Sequence, residues 1–98
     1  SMSCKVVHFR KDPYDIYIGR GSKWGNPFSH KEDTLAKFQV ESRKEAIEKY
    51  EEWIKTQPHL MESLYELKDK TLGCWCKPQS CHGDVLKKLA DSLGKNLF

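Results

Sequence analysis

The sequence has no run of about 18 or more apolar residues, which is the length that a membrane-spanning helix needs. Residues 5–10 are too short and too charged a segment to act as a signal peptide. These two absences predict a cytoplasmic protein with no membrane partner. In a reducing compartment, cysteines serve as metal ligands, nucleophiles or small core residues more often than as disulfides.

Neither sign of charge dominates the chain. Its 98 residues include 17 Lys and Arg against 14 Asp and Glu, for a formal net charge of +3. That balance is less basic than the composition that indicates nucleic-acid binding by itself. The length suits a single domain with one core, which we assign to residues 3–98. Ser1 and Met2 have the pattern of an expression remnant followed by the native start.

The hydrophobic pattern predicts a small mixed sheet with helices packed on it. The predicted strands are residues 4–9, 14–18 and 70–76. The predicted helices are residues 42–57, 58–67 and 82–92, with a weaker helical segment over 33–40. The short turn between the first two strands favours a hairpin, and a helical crossover favours a parallel third strand. The order β-β-α-(α)-β-α therefore indicates an α/β or α+β fold with a three-stranded sheet.

A glycine-rich loop follows the second predicted strand. Its glycines let the backbone approach a ligand closely, Arg20 and Lys23 offer positive charge to an anion, and Trp24 offers a face for stacking. The spacing matches neither a Walker loop nor a dinucleotide fingerprint. The alternative is a glycine turn with Trp24 folded back onto the core. The candidate ligand-binding residues are Gly19, Arg20, Gly21, Ser22, Lys23, Trp24, Gly25 and Asn26.

Residues 74–84 contain three of the four cysteines together with a histidine and an aspartate. One interpretation is a metal site, because three sulfurs and an imidazole satisfy tetrahedral zinc. The first pair is spaced Cys-x-Cys, however, and ordinary zinc sites favour Cys-x-x-Cys. The candidate zinc ligands are Cys74, Cys76, Cys81 and His82.

A second interpretation of this cluster is a reactive thiol. Cys81 directly precedes the last predicted helix, where the partial positive charge of the helix terminus lowers a thiol pKa. His82 and Asp84 then complete a candidate catalytic set as proton carrier and orienting carboxylate, with His8 as another candidate base. A third interpretation is structural, in which Cys74 and the neighbouring cysteine of the strand are small core residues.

Two sequence blocks, residues 18–28 and 72–84, together resemble the family called domain of unknown function 4326 (DUF4326). The resemblance covers nearly the whole chain. It implies that both blocks belong to one unit, as found in proteins of bacteria, archaea and phages. It carries over no established activity.

Both blocks follow the carboxyl ends of predicted strands, and ligands of open α/β sheets bind at that edge. If the two strands are parallel neighbours, the blocks form one composite site. We therefore expect a small enzyme or sensor that binds or acts on a nucleotide, another anionic nucleotide-derived molecule, or nucleic acid. The alternatives are a non-catalytic, zinc-stabilised binding module for nucleic acid or protein, and a compact interaction domain without a small-molecule site.

Overall fold

The computed structural model describes residues 3–31 and 36–94. The strands are β1 (Lys5–His8), β2 (Ile16–Tyr17), β3 (Phe28–Ser29), β4 (Phe38–Gln39) and β5 (Thr71–Cys74). The helices are α1 (Arg43–Ile54), α2 (Pro58–Ser63) and α3 (His82–Asp91), with a 3-10 turn at Leu64–Leu67 after α2. This mixture of small sheets and helices confirms the predicted α+β class. No helix in the described part of the chain is long and apolar enough to cross a membrane.

The main sheet has the strand order β1-β5-β2, and both pairings are parallel. Lys5 pairs with Thr71 on one side of β5, and Ile16 pairs with Leu72 on the other. The predicted parallel third strand is therefore confirmed. The predicted hairpin is wrong, because β5 lies between the first two strands. Leu72 and Cys74 on β5 are fully buried, which favours the central position of a parallel sheet.

A second, two-stranded sheet replaces the weaker predicted helix. Phe28 on β3 pairs in parallel with Phe38 on β4, and their rings stack with centroids 5.2 Å apart. The backbone N–H of Phe38 donates to the carbonyl of Pro27, and that of Val40 donates to Ser29. These bonds give residues 38–39 extended structure. Residues 33–35 of the predicted helix lie outside the described residues.

Helix α1 begins after Ser42, whose hydroxyl accepts a hydrogen bond from the Glu45 backbone N–H at 3.0 Å. The Glu45 carboxylate accepts from the backbone of Glu41 instead of from Ser42, so half of a capping box forms. The inner face of the helix buries Ala46, Tyr50 and Ile54. Pro58 occupies the first position of α2.

Helix α3 packs against α1, β1 and the 3-10 turn, and the core lies between these elements. Gly83 in its first turn lies against the main sheet. A β-carbon at this position would meet side-chain carbons of Val6 and Ile18 at 2.8 Å, so glycine permits the close approach of helix and sheet. The large core side chains with no solvent exposure are Ile18, Tyr50, Ile54, Leu67, Leu72 and Leu86.

Candidate functional site

The two sequence blocks meet at one edge of the main sheet. The backbone N–H of Ile18, directly after β2, donates to the Gly73 carbonyl of β5 at 2.9 Å. The imidazole Nε2 of His82, at the start of α3, lies 2.7 Å from the Ile18 carbonyl oxygen. The parallel pairing of β2 and β5 thus brings the glycine loop beside the start of α3, as the sequence predicts.

A cavity of about 390 Å³ lies between these two segments. Its walls come from the glycine loop, β3 and the residues after it, the first turn of α1, and the segment from β5 to α3. Of the predicted ligand-binding residues, Gly19, Arg20 and Asn26 line it. Other polar or ionisable lining residues include Lys31, Arg43, Cys76, Cys81 and His82.

Positive charge dominates the cavity. Arg20, Lys31 and Arg43 all line it, and no aspartate or glutamate occurs among the lining residues of the described part of the chain. An Nη of Arg20 donates to the Phe28 carbonyl at 2.8 Å, while its buried Nε has no partner among the described atoms. Burial lowers the pKa of Arg20 from its ordinary value, and nearby Cys76 acts in the opposite direction. The Arg20 guanidinium therefore retains a donor that the protein does not use.

Arg43 ties the first turn of α1 to the turn before α3. Its two Nη atoms donate to the side-chain oxygen of Gln79 at 2.8 Å and to the Ser80 carbonyl at 3.3 Å. The guanidinium lines the cavity, and neutral acceptors instead of a carboxylate fix its orientation. Such a charge remains available to an anion.

Asn26 supports the loop instead of presenting a free amide. Its Nδ2 donates to the Ala46 carbonyl at 3.1 Å, and its Oδ1 accepts from the Phe28 backbone at 2.9 Å. The hydroxyl of Ser22 donates to the Gly19 carbonyl at 2.6 Å, which closes the turn. Gly21 has φ of 96°, a left-handed conformation that favours glycine. Ser22, Gly21 and Gly25 are not in the cavity lining.

The expectation that Trp24 offers a stacking face is corrected by the structure. The side chain is only 2% exposed and belongs to the core, and the Tyr50 hydroxyl donates to its carbonyl at 2.7 Å. Burial of a large indole stabilises the loop and removes its face from any ligand. Lys23 also lies outside the cavity lining, where its ammonium pairs with Glu66 at 2.9 Å.

Cys81 is almost fully buried and caps helix α3. Its sulfur accepts from the Gly83 backbone at 3.3 Å and lies 3.4 Å from the sulfur of Cys74. The pKa of Cys81 is raised, because its thiol proton is held by Cys74 and Cys76. This direction is opposite to the lowering expected from the helix terminus alone. The interaction with Cys81 lowers the pKa of both Cys74 and Cys76 to about 6, and Arg43 acts in the same direction on Cys76.

His82 and Asp84 make contacts that support the local fold. The His82 ring is 8% exposed and packs edge-on against Tyr50 with centroids 4.9 Å apart. Burial lowers its pKa to about 4. The Asp84 carboxylate accepts from Lys77 at 2.7 Å and from the Cys81 backbone at 3.1 Å, which completes a capping box. A catalytic role for Cys81, His82 and Asp84 stays a prediction.

The four candidate zinc ligands are not assembled. Within residues 3–31 and 36–94, no group of three or more His, Cys, Asp or Glu side chains is arranged to hold a metal ion. Nε2 of His82 is directed to the carbonyl of Ile18, while Cys74 and Cys81 contact each other through sulfur. The side chains present do not fit the predicted tetrahedral site.

Comparison with known proteins places these features in a family. The model of the family described as Domain of unknown function (DUF4326) matches residues 4–92, which include both sequence blocks. The chain belongs to the DUF4326 family. The resemblance found in the sequence is thereby confirmed.

Relatives of this DUF4326 domain occur in viruses. A protein of Enterobacteria phage T4, described as an uncharacterised 12.4 kDa protein in the nrdA-td intergenic region, is 33% identical over 96 residues, covering 97% of this chain and 84% of the relative. An uncharacterised protein of Acanthamoeba polyphaga mimivirus is 38% identical over 102 residues, covering 86% and 72%. No solved structure matches the chain.

Several cavity residues of the DUF4326 domain escape prediction from the sequence. Arg43 has the pattern of an ordinary helix-surface cation, and Cys76 that of a core or metal-site cysteine. The sequence does contain one signal for Arg43. A cation in the first turn of a helix interacts unfavourably with the helix dipole, which indicates that Arg43 has a role other than stabilising the helix. Trp75 is half-exposed and lines the cavity, whereas Trp24 is buried. The Trp75 ring also contacts Phe9, and the Arg10 guanidinium lies over it at 4.6 Å from the ring centroid.

Proposed function

We propose that this domain binds an anionic small molecule of nucleotide size in the cavity between its two sequence blocks. The observation that carries the proposal is the convergence of Arg20, Lys31 and Arg43 on one cavity whose described lining contains no carboxylate. The volume of about 390 Å³ falls within the range of small-molecule sites, roughly 300–1,000 Å³.

Arg20, Lys31 and Arg43 bring three positive charges to one cavity, and a Cys76 thiolate offsets one of them. A bound anion is therefore attracted by the remaining positive charge. Two of the cations are arginines, whose planar guanidinium groups suit phosphate and carboxylate. Both arginines line the cavity, and the Nε of Arg20 is buried without a partner among the described atoms.

The aromatic lining favours a nucleotide over a simple inorganic anion. Phe28 and Trp75 both line the cavity, and the indole of Trp75 is 50% exposed. Each ring already has one partner, because Phe28 stacks on Phe38 and Arg10 lies over Trp75, so a base would use the remaining side of either ring. Aromatic faces stack on nucleobases regardless of base identity, with about 1–3 kcal/mol per base. An apolar wall beside a cationic wall thus matches a ligand with a flat base and a phosphate.

The test is a thermal-shift titration with AMP, CMP, GMP and UMP, each compared with its nucleoside and with inorganic phosphate. We expect nucleotides to raise the melting temperature by mass action and nucleosides to leave it unchanged. Arg43→Gln should weaken nucleotide binding about 10- to 100-fold, because hydrogen bonds to charged groups contribute about 1.5–3 kcal/mol.

Lys23→Gln is the matched control. This substitution also removes one positive charge from the glycine loop. In the wild type, however, the Lys23 ammonium pairs with Glu66 and lies outside the cavity lining. Its nucleotide affinity should stay within about twofold of the wild type, since exposed charges at a distance are screened by salt. Equal weakening by Lys23→Gln and Arg43→Gln would contradict a localised site, as would the absence of any shift with the nucleotides.

A further inference from the structure

Four aromatic residues gather on the face of the main sheet that is turned away from helix α3. Val6 lies against the first turn of α3 and pairs with the buried Leu72, so a side chain at the next position of β5, Gly73, would point to the opposite face. A β-carbon on Gly73 would meet Tyr14 Cγ at 2.8 Å and Phe9 Cβ at 3.0 Å, so the glycine lets both residues pack against the sheet. We call this surface the aromatic face, and its rings belong to Phe9, Tyr14, Tyr17 and Trp75.

The rings of the aromatic face form one connected cluster that is partly open to solvent. The centroid of the Phe9 ring lies 4.5 Å from that of Trp75 and 6.4 Å from that of Tyr14. Tyr14 is 42% exposed and Trp75 is 50% exposed, so two members of the cluster offer ring surface to a ligand. Exposed aromatic side chains that cluster in this way mark an interaction surface.

Arg10 places a positive charge on the aromatic face. Its guanidinium lies over the Trp75 ring at 4.6 Å from the centroid and has no carboxylate partner within residues 3–31 and 36–94. Lys11 and Asp12 beside it offset each other in charge, and the Asp15 carboxylate accepts a hydrogen bond from the backbone of β5 at 2.8 Å. The guanidinium of Arg10 is therefore available to an anionic group that approaches the rings.

Trp75 joins the aromatic face to the cavity, because it belongs to the first and lines the second. Its indole N–H donates to the Tyr17 hydroxyl at 3.0 Å, and that hydroxyl donates to the Arg20 carbonyl at 3.2 Å, which ties the ring to the glycine loop. Arg10 lies over this ring, while Arg20 and Arg43 line the same cavity as Trp75. Positive charge thus continues from the cavity onto the aromatic face, which suits a chain of phosphates longer than one nucleotide.

We propose that the nucleotide in the cavity belongs to a single-stranded nucleic acid whose adjoining nucleotides lie on the aromatic face. The proposal rests on the proposed function for the nucleotide in the cavity itself. Single strands bind to surfaces that combine aromatic rings, which stack on bases of any sequence, with cations that follow the phosphates. Trp75 and Tyr14 supply the rings, and Arg10 supplies the charge next to them. A duplex is not expected to bind, because its bases are already stacked on one another.

The test measures binding of fluorescein-labelled rU8 and dT8 by fluorescence anisotropy, with UMP, rU4, dT4 and a 12-bp duplex as unlabelled competitors. We expect rU4 or dT4 to bind at least about tenfold tighter than UMP, because each further stacked base adds to the affinity. The equivalent positions on a tetranucleotide account for at most about fourfold, so the excess reports contacts outside the cavity. The duplex should bind at least about tenfold more weakly than rU8. Tight binding of either strand supports the proposal, and the tighter strand identifies the polymer as RNA or DNA.

Two substitutions separate the aromatic face from the cavity, since neither residue lines the cavity. Arg10→Gln and Tyr14→Leu should each weaken rU8 binding about 5- to 100-fold and leave UMP affinity unchanged. Lys88→Gln is the matched control for the lost charge, because the Lys88 ammonium pairs with Glu51 at 2.6 Å and lies on the helical side of the molecule. Its rU8 affinity should stay within about twofold of the wild type. The melting temperature of each variant verifies that it is folded.

The outcomes distinguish this proposal from the proposed function. UMP binding that depends on Arg43, with no gain for rU4 and no effect of Arg10→Gln, overturns the aromatic face as a strand site and leaves the cavity standing. Binding of rU8 that depends on Arg10 and Tyr14, without any binding of UMP, overturns the nucleotide cavity and leaves the strand site standing. Equal affinity for the duplex and rU8, or no binding of rU8 and dT8, overturns the proposal. So does a dimer in sedimentation that Tyr14→Leu dissociates, because a second copy of the chain then covers the face.

Discussion

Acidification from pH 7 to pH 5 is expected to lower the free energy of unfolding by about 2 kcal/mol through His82 alone. Burial of the ring lowers the His82 pKa from 6.5 to about 4 in the folded protein. Below pH 6.5 the unfolded chain binds a proton at this histidine and the folded chain does not. The stability that is present above pH 6.5 is therefore lost as the pH falls towards 4.

Denaturant unfolding at pH 7, 6 and 5 checks this, with His82→Gln as the comparison. The glutamine amide can still donate to the Ile18 carbonyl but does not titrate. Contributions from carboxylates are common to both proteins and cancel in the difference. The two stability curves should converge as the pH falls, because only the wild type loses the His82 contribution. Parallel curves would show that His82 is not kept neutral by the fold.

Leu72→Ala is expected to destabilise the protein by about 2–5 kcal/mol, the usual cost of truncating a fully buried leucine. Leu72 has no solvent exposure and lies at the middle of the sheet, opposite Val6 on β1 and Ile16 on β2. The smaller side chain leaves a cavity among neighbours on both sides. Domains of this size have about 5–15 kcal/mol of total stability, so the loss is a large share.

The control for this variant is Tyr65→Ala, which removes a larger side chain from the surface. Tyr65 is 69% exposed, and surface substitutions of this kind usually change stability by less than about 0.5 kcal/mol. Chemical denaturation of both variants measures the difference. Similar losses in the two proteins would contradict the central burial of Leu72.

The sequence predicts the elements of this fold better than their pairing. Helix α1 carries consistent signals, namely the Ser42 cap, the apolar stripe and a proline, Pro58, shortly after its end. The pairing of the first two strands is not predictable in this way. A short turn brings two strands close together but does not determine whether they form hydrogen bonds with each other. The N–H of Asp15 donates to the Thr71 carbonyl of β5, so the turn carries the chain across the central strand. The first two strands pair with β5 instead of with each other because β5 is buried at the centre of the sheet. That burial depends on the packing of the whole core.

For the candidate site, too, the sequence predicts where the two blocks lie better than which side chains face the cavity. The rule that loops at the carboxyl ends of parallel strands meet is sufficient to bring Arg20 and Cys81 to one edge. It does not determine which of two tryptophans is buried. Trp24 and Trp75 each lie in one of the two sequence blocks, and only packing places the first in the core and the second at the cavity. Arg43 enters the site from a helix that is distant in sequence. Its position in the first helical turn indicates a role, but the local sequence does not identify the residues that it contacts.

The position of β5 between β1 and β2 has a consequence for synthesis of the chain. Both amino-terminal strands leave the ribosome well before Thr71–Cys74, the only strand with which either of them pairs in the described structure. The main sheet therefore cannot form until β5 has been translated, and the ordering of both sequence blocks waits for the same event. Such non-local pairing slows folding relative to a hairpin of adjacent strands.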